Sequence, residues 1–282
     1  MASNKERIDV LLVERGLFET REKAKRAIMA GIVYSEEDRL DKPGEKVARD
    51  INLNVKGKVL PYVSRGGLKL EKALKEFKVD IQDKILLDIG SSTGGFTDCA
   101  LQNGAKRSYA VDVGYNQLAW KLRQDERVTV MERTNFRYAS PADFQQGMPE
   151  FATIDVSFIS LKLILPALKN ILIPGGDVIA LVKPQFEAGK NQVGKKGIVR
   201  EKSVHISVLQ NIVSFASEAG YDCVDLSFSP ITGGDGNIEF LLHLLSKSEG
   251  TTGGVHLPAS IPEVVDAAHA ELKEKNKEET GE

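Results

Sequence analysis

The residues able to do chemistry in this chain cluster where short apolar runs stop. Ile85-Leu86-Leu87-Asp88-Ile89 ends in Gly90, and Ser91-Ser92-Thr93 then leads to Gly94-Gly95-Phe96, where helical apolar spacing begins. A strand, a tight glycine turn and a helix start bring bare backbone N–H groups up to a nucleotide-like ligand. Twenty-two residues beyond Gly90, the run Tyr109-Ala110-Val111 ends in Asp112, where a carboxylate would grip a ribose diol. The spacing is neither G-x-G-x-x-G nor G-x-x-x-x-G-K-[ST], which disfavours a dinucleotide and a nucleoside triphosphate. Taken alone, the same turn would serve as an ordinary strand-to-helix connection in any α/β domain.

Other polar residues stand at similar places. Asp155 follows Phe151–Ile154, Lys183 follows Val178–Val182, and Glu239 lies in Ile238–Leu245 just after Gly233-Gly234-Asp235-Gly236-Asn237. Lys69 falls near the start of a helix whose buried face is Leu68, Leu70, Ala73, Leu74 and Phe77. A cation there opposes the helix dipole, and such local inconsistencies gather at functional sites. Each residue alone reads as a side chain leaving a buried strand for water. The expectation is that all four arrive at one sheet edge beside the glycine turn.

The elements that must position them alternate. Strand patterns at Arg107–Asp112, Val128–Met131, Phe151–Val156 and Asp177–Lys183 are interleaved with helices at Asn116–Arg123, Leu161–Ile171 (bent by Pro166) and Ser203–Ala219. The strands Asp222–Phe228 and Ile238–Leu245 follow. This is the pattern of a doubly wound, Rossmann-like α/β sheet, which binds ligands outside the carboxyl ends of its strands. The division expected is a small α+β domain over 1–60, a linker over 61–67 hinged at Gly66-Gly67, the sheet domain over 68–247, and a disordered or partly helical acidic tail over 248–282. That tail holds seven acidic residues against three lysines in 263–282. In the first domain, Thr20 is a candidate N-cap for a helix to Ala30, Ile32-Val33-Tyr34 starts a strand, and Ile51–Val55 alternates as another.

A net charge of −2 over 282 residues excludes a surface that binds polyanions all over, but permits a local basic patch. Residues 1–60 hold thirteen Lys/Arg against eleven Asp/Glu, so any RNA contact rests on the clustering of Arg7, Arg21, Lys23, Lys25 and Arg26. Cys99 and Cys223 sit in apolar stretches and read as reduced core residues, His205, His243, His256 and His269 lie apart, and no metal site is expected. With no apolar signal core and no uncharged run of about 18 residues, the expectation is a cytoplasmic protein without stable membrane association.

Arg21-x-x-Ala24-x-x-Ala27-Ile28-x-x-Gly31-x-Val33 resembles the small RNA-binding domain named after ribosomal protein S4, which implies that the basic face of the second helix lies on folded RNA. Asp88-Ile89-Gly90-x-x-x-Gly94-Gly95-Phe96 resembles the first motif of S-adenosylmethionine-dependent methyltransferases, especially the FtsJ-like RNA ribose methyltransferases. Lys69, Asp155, Lys183 and Glu239 match that family's catalytic set. Over residues 7 to about 246 the chain is most similar to the TlyA-type proteins, known as haemolysins and as rRNA cytidine 2′-O-methyltransferases. The matching segments are Ser64–Lys69, Asp88–Phe96, Glu132–Asn135, Asp155–Ser160 and Val182–Glu187.

The resemblance implies S-adenosylmethionine as cofactor, held by Asp88, Gly90, Ser91, Gly94, Gly95, Phe96, Asp112 and Asn135, the last standing where relatives often carry Asp. It implies ribosomal RNA or ribosomal subunits as partner, with Arg65 and the basic loop residues Lys195 and Lys196 joining the RNA contacts. A ribose 2′-hydroxyl is a poor nucleophile at neutral pH and needs a base beside it. Burial beside a second cation can turn a lysine into that base, which suits Lys183 near Lys69, although neighbouring carboxylates work the other way. A non-catalytic RNA-binding ribosome-assembly factor is the alternative. A membrane-active haemolysin has no signal, span or strongly amphipathic basic helix to support it.

Overall fold

The computed structural model describes residues 5–29, 31–36, 38–56, 60–194, 197–233, 236–248 and 250–280, with side chains of the last helix described to residue 272. Two compact units divide between Pro61 and Tyr62. The first contains β1 (Lys5–Arg7), α1 (Ile8–Glu14), α2 (Arg21–Met29), β2 (Val33–Ser35), β3 (Asp38–Arg39), β4 (Lys46–Ala48) and β5 (Asn54–Val55). β1 pairs antiparallel with β4, and β2 pairs with β3 and β5. Ile8, Leu11 and Leu12 of α1 meet Ala24, Ala27 and Ile28 of α2 at helical spacing, closing a small core with Val33 and Leu53. Thr20 caps α2, its Oγ1 accepting the Lys23 N–H at 3.2 Å. The strand expected over Ile51–Val55 shrinks to Asn54–Val55, because only those residues find a pairing partner in β2.

The second unit contains α3 (Gly66–Phe77), β6 (Ile85–Ile89), α4 (Gly95–Gln102), β7 (Arg107–Val111), α5 (Trp120–Arg123), β8 (Val128–Met131) and β9 (Phe151–Ile154). There follow α6 (Leu165–Lys169), β10 (Asp177–Val182), α7 (Pro184–Glu187), α8 (Lys202–Glu218), β11 (Tyr221–Phe228), β12 (Phe240–Ser246) and α9 (Ile261–Thr280). Its seven-stranded sheet runs β11-β12-β10-β9-β6-β7-β8. The five strands from β10 to β8 are parallel, and β12 pairs antiparallel with both neighbours. Alternation sorts the two faces: Val178, Ala180 and Val182 of β10 enter the core beneath α6, α8 and α9, whereas Ile179 and Leu181 pack under α3 and α4. The chain turns from β6 outward to β7 and β8, then returns to add β9 on the other side. The carboxyl ends of β6 and β9 therefore form the topological switch point of the sheet.

Three expectations need correction. Residues 62–67 are not a hinge. Tyr62 is buried, α3 starts at Gly66, and a Cβ on Gly67 would sit 2.3 Å from the Tyr62 ring. The tail is not uniformly solvated, since Val255 bridges Cys223 and α9 buries Val264, Val265, Ala268 and Leu272. The helix expected over Leu161–Ile171 is a 3-10 turn, Leu161–Leu163, followed by α6, with Pro166 in the first turn where its missing N–H costs nothing.

Candidate active site

β6 and β9 end side by side, and their exits make the floor of the site. Gly90 takes a left-handed φ of +86°, and a Cβ there would lie 2.4 Å from the Asp155 carbonyl oxygen. Glycine is therefore demanded by a backbone crossing as well as by the turn. Gly94 (φ +96°) allows Leu118 and Leu122 to close beneath the turn. Gly95 brings α4 against the start of α3, since a Cβ would meet Ser64 Oγ at 2.3 Å and Gly67 N at 2.8 Å.

Four side chains from four elements meet above this floor. Lys69 Nζ, on the first turn of α3, donates to Glu239 Oε2 at 2.6 Å and lies 3.7 Å from Asp155 Oδ2. Lys183 Nζ, at the end of β10, lies 2.5 Å from Asp155 Oδ1 and donates to Ser157 Oγ at 3.0 Å. The result is a chain of alternating charge, Lys183–Asp155–Lys69–Glu239, in which both lysines and Glu239 are buried. Burial works to lower the Lys69 pKa, but the charges of Asp155 and Glu239 and their hydrogen bonds outweigh it and hold the ammonium above its usual range. The cation that opposed the α3 dipole thus finds its counter-charges across the cleft.

Two adjoining clefts share Gly90, Ser92, Asp155, Ser157 and Phe158. One, of about 450 Å³, holds all four charged residues together with Arg65, Ser91, Gln185 and Phe186. The other, of about 440 Å³, is lined by Asp112, Gln117, Asn135 and Phe136. Asp112 is aimed by backbone donors, accepting Ser92 N at 2.8 Å and Gly114 N at 2.7 Å, one on each carboxylate oxygen. Each oxygen keeps a lone pair for a hydroxyl. Asn135 lines the same cleft, but its Oδ1 already accepts Arg137 N and Nε at 3.2 Å.

Several expected cofactor residues are engaged within the protein. Asp88 is fully buried, and its carboxylate accepts Thr97 N at 3.1 Å, Thr97 Oγ1 at 2.7 Å and Thr153 Oγ1 at 2.9 Å. It ties β6 to α4 and β9 and is not spare for a ligand. Burial pushes its pKa up to about 6 against the pull of those hydrogen bonds. Phe96 reaches the cleft edge but packs in the core under α3, and Gly94 lines neither cleft.

The basic candidates divide as well. Arg7 Nε and Arg21 Nη2 each reach the buried Asp9 carboxylate at 2.9 Å and hold its pKa down at about 2. Lys23 pairs with Glu19, and Lys25 with Glu22 at 2.8 Å. Arg26 and Arg65 are exposed. Lys195 and Lys196 lie outside the described residues, and Gly197 and Val199 just after them are held by Asn237. Asn237 Nδ2 donates to Gly197 O at 3.0 Å, and its Oδ1 accepts Val199 N at 3.0 Å.

The residue reading assigned no role to Ser157, Phe158, Gln185 or Phe186. Phe158 is 90% exposed with φ +64°, strained for a bulky residue, and its ring sits 5.0 Å from that of Phe186. Their marks in the sequence are a position two or three residues past strand-end Asp155 and Lys183 and a place within the family-like segments Asp155–Ser160 and Val182–Glu187.

The model of the FtsJ-like methyltransferase family matches residues 62–245, more than half of the chain. The chain belongs to that family. An S4 domain matches residues 6–50 of this FtsJ-like protein. It is 74% identical over 275 residues to YqxC of Bacillus subtilis (strain 168), provisionally named an rRNA methyltransferase, covering 98% of each chain. It is 40% identical over 244 residues to the 16S/23S rRNA (cytidine-2′-O)-methyltransferase TlyA of Mycobacterium tuberculosis, covering 86% of this chain and 91% of that one. A solved structure of a provisionally named haemolysin from Streptococcus thermophilus superposes with a TM-score of 0.77 at 59% identity, covering 98% of this chain and 100% of that one. Among the described residues, no helix is long and apolar enough to cross a membrane.

Proposed function

We propose that this FtsJ-like protein transfers a methyl group from S-adenosylmethionine to the ribose 2′-hydroxyl of a cytidine in ribosomal RNA. The observation that carries the reading is the Lys183–Asp155–Lys69–Glu239 chain standing in a cleft continuous with the Asp112 cleft. The TlyA relative's name supplies the cytidine and the ribosomal RNA. The S4 domain supports RNA as the partner.

The residues present fit the cofactor. Asp112 lines the second cleft and has two aimed oxygens for the ribose diol. The amino end of α4 suits a carboxylate. When bound, S-adenosylmethionine supplies an electrophilic methyl group on a sulfonium. To act as the base, Lys183 first releases to solvent the proton it holds in the ion pair with Asp155, and the free amine then takes the 2′-hydroxyl proton onto Nζ as the oxygen accepts the methyl, a role worth about 10²–10⁴-fold for a positioned base. Asp155 and Ser157 fix that Nζ from two sides. Lys69 remains protonated, so its charge offsets Asp155 and Glu239. Phe158 and Phe186 offer an aromatic wall for an unstacked base, the usual way in which single nucleotides are held. The test is incubation with tritiated S-adenosylmethionine and separate 30S and 50S subunits, then digestion to nucleosides. The expected product is labelled 2′-O-methylcytidine. Label in a base, or binding of subunits with no transfer, would refute the reading.

A further inference from the structure

Among the described residues, two buried side-chain polar atoms have no hydrogen-bond partner: Gln185 Oε1 and His205 Nε2. His205 lies in the core against Phe240 and lines neither cleft. Gln185 lines the cleft of the charged residues. A buried carbonyl without a donor carries its full desolvation penalty, so a group of this kind at the wall of a cleft calls for a donor that the cleft's occupant can supply. We propose that Gln185 reads the base of the acceptor nucleotide, its Oε1 accepting a hydrogen from the exocyclic amine of cytosine. The proposal rests on the methyl-transfer reading of the same cleft.

The neighbours of Gln185 favour the acceptor as the missing donor. Lys183, Gln185 and Phe186 come from a single turn after β10. Contacts to a ribose hydroxyl, a base edge and a base face therefore fall within the span of one nucleotide. Phe186 with the exposed Phe158 forms the aromatic wall on which the face would lie. The Asp112–Asn135 cleft, where an adenosine would sit, does not include Gln185. Cytosine presents an N4 amine, a hydrogen-bond donor, where uracil presents the O4 acceptor. In the same pose, uracil would set lone pairs against the Gln185 carbonyl and leave both unpaired.

The test compares the wild-type full chain with Gln185→Leu, which removes the acceptor, and Gln185→Glu, which keeps acceptor oxygens at that position. Each is given labelled S-adenosylmethionine and ribosomal subunits, and the digested nucleosides are resolved by mass spectrometry. S-adenosylmethionine affinity and melting temperature are measured in parallel. The expected result is a fall of about tenfold or more in kcat/KM for RNA in Gln185→Leu, because a polar site deprived of its partner discriminates strongly. Cofactor affinity should stay within about twofold, and Gln185→Glu should retain cytidine methylation. Methylation by Gln185→Leu at the wild-type rate would overturn the proposal, as would a loss explained by weaker cofactor binding or by unfolding of Gln185→Leu while Gln185→Glu no longer selects cytidine. A wild-type product in uridine would also overturn it, since the amide would then face the cleft with its NH₂ end. No ribose label from the wild type would instead refute the parent reading, and this one with it.

Discussion

Asp88 is a carboxylate whose surroundings make its charge costly, and this gives the site's scaffold a pH signature. Its folded pKa of about 6 stands above the ordinary 3.8 because burial outweighs the hydrogen bonds from Thr97 and Thr153. Between those two values the native state holds a proton that the unfolded chain has released, so stability from this group is present below about pH 4 and is lost as pH rises through 6. Asp88→Asn should remove that dependence. The stability of the variant relative to wild type should increase by about 2–3 kcal/mol from pH 4 to pH 7 in urea titrations. A difference independent of pH would show that Asp88 does not titrate in this window. The same residue marks where sequence reading stopped. A strand-end aspartate beside a glycine turn reads as a ligand contact, but Thr97 takes one carboxylate oxygen and Thr153, from 65 positions away, takes the other. The four charged residues were legible because each interrupts an apolar run. Gln185 and Phe158 were not, because a glutamine and a phenylalanine in a loop break no pattern until burial and exposure are known.

At the scale of elements, the segments after β9 and after β10 carry most of the chemistry and are tied together by Glu187. Its Oε2 accepts Ser160 Oγ at 2.6 Å and its Oε1 accepts Leu161 N at 2.7 Å, while burial pushes its pKa up. This clamp sets Asp155–Phe158 against Lys183–Phe186. Glu187→Ala should lower kcat on the order of tenfold to hundredfold, since a misplacement of about 1 Å costs that much. Glu187→Gln should recover most of it, with its carbonyl accepting Leu161 N and its amide donating to Ser160 Oγ. Equal losses in steady-state kinetics for the two variants would argue against a clamp. The strand positions of the large sheet were legible from apolar runs ending in polar residues, whereas their order came only with the structure. Helix extents were less legible. α5 covers only Trp120–Arg123, because Asn116 turns left-handed at φ +57° and starts no helix. α9 was hidden by charge: Val264, Val265, Ala268 and Leu272 do repeat at helical spacing, but acidic residues and lysines surround them.

At the scale of the whole molecule, a chain with a net charge of −2 must concentrate whatever holds RNA. In the S4 unit, Arg7 and Arg21 are partly spent on Asp9, and Lys23 and Lys25 on neighbouring glutamates. Arg26, exposed on α2, remains the cation best placed for phosphate. Arg26→Ala should weaken binding of ribosomal RNA and reduce the slope of log K against log salt by about 1. The rate at saturating RNA should stay unchanged. An unaltered slope in filter binding from low to moderate salt would remove Arg26 from the interface.

Lys183 is proposed to move the 2′-hydroxyl proton in a site that binds cofactor without it. The most direct measurement is methyl transfer to ribosomal subunits by Lys183→Ala, with S-adenosylmethionine affinity determined on the same preparation. With Lys183 as the base, transfer should fall by about 10²-fold or more with cofactor affinity nearly unchanged. Transfer at the wild-type rate would contradict that role.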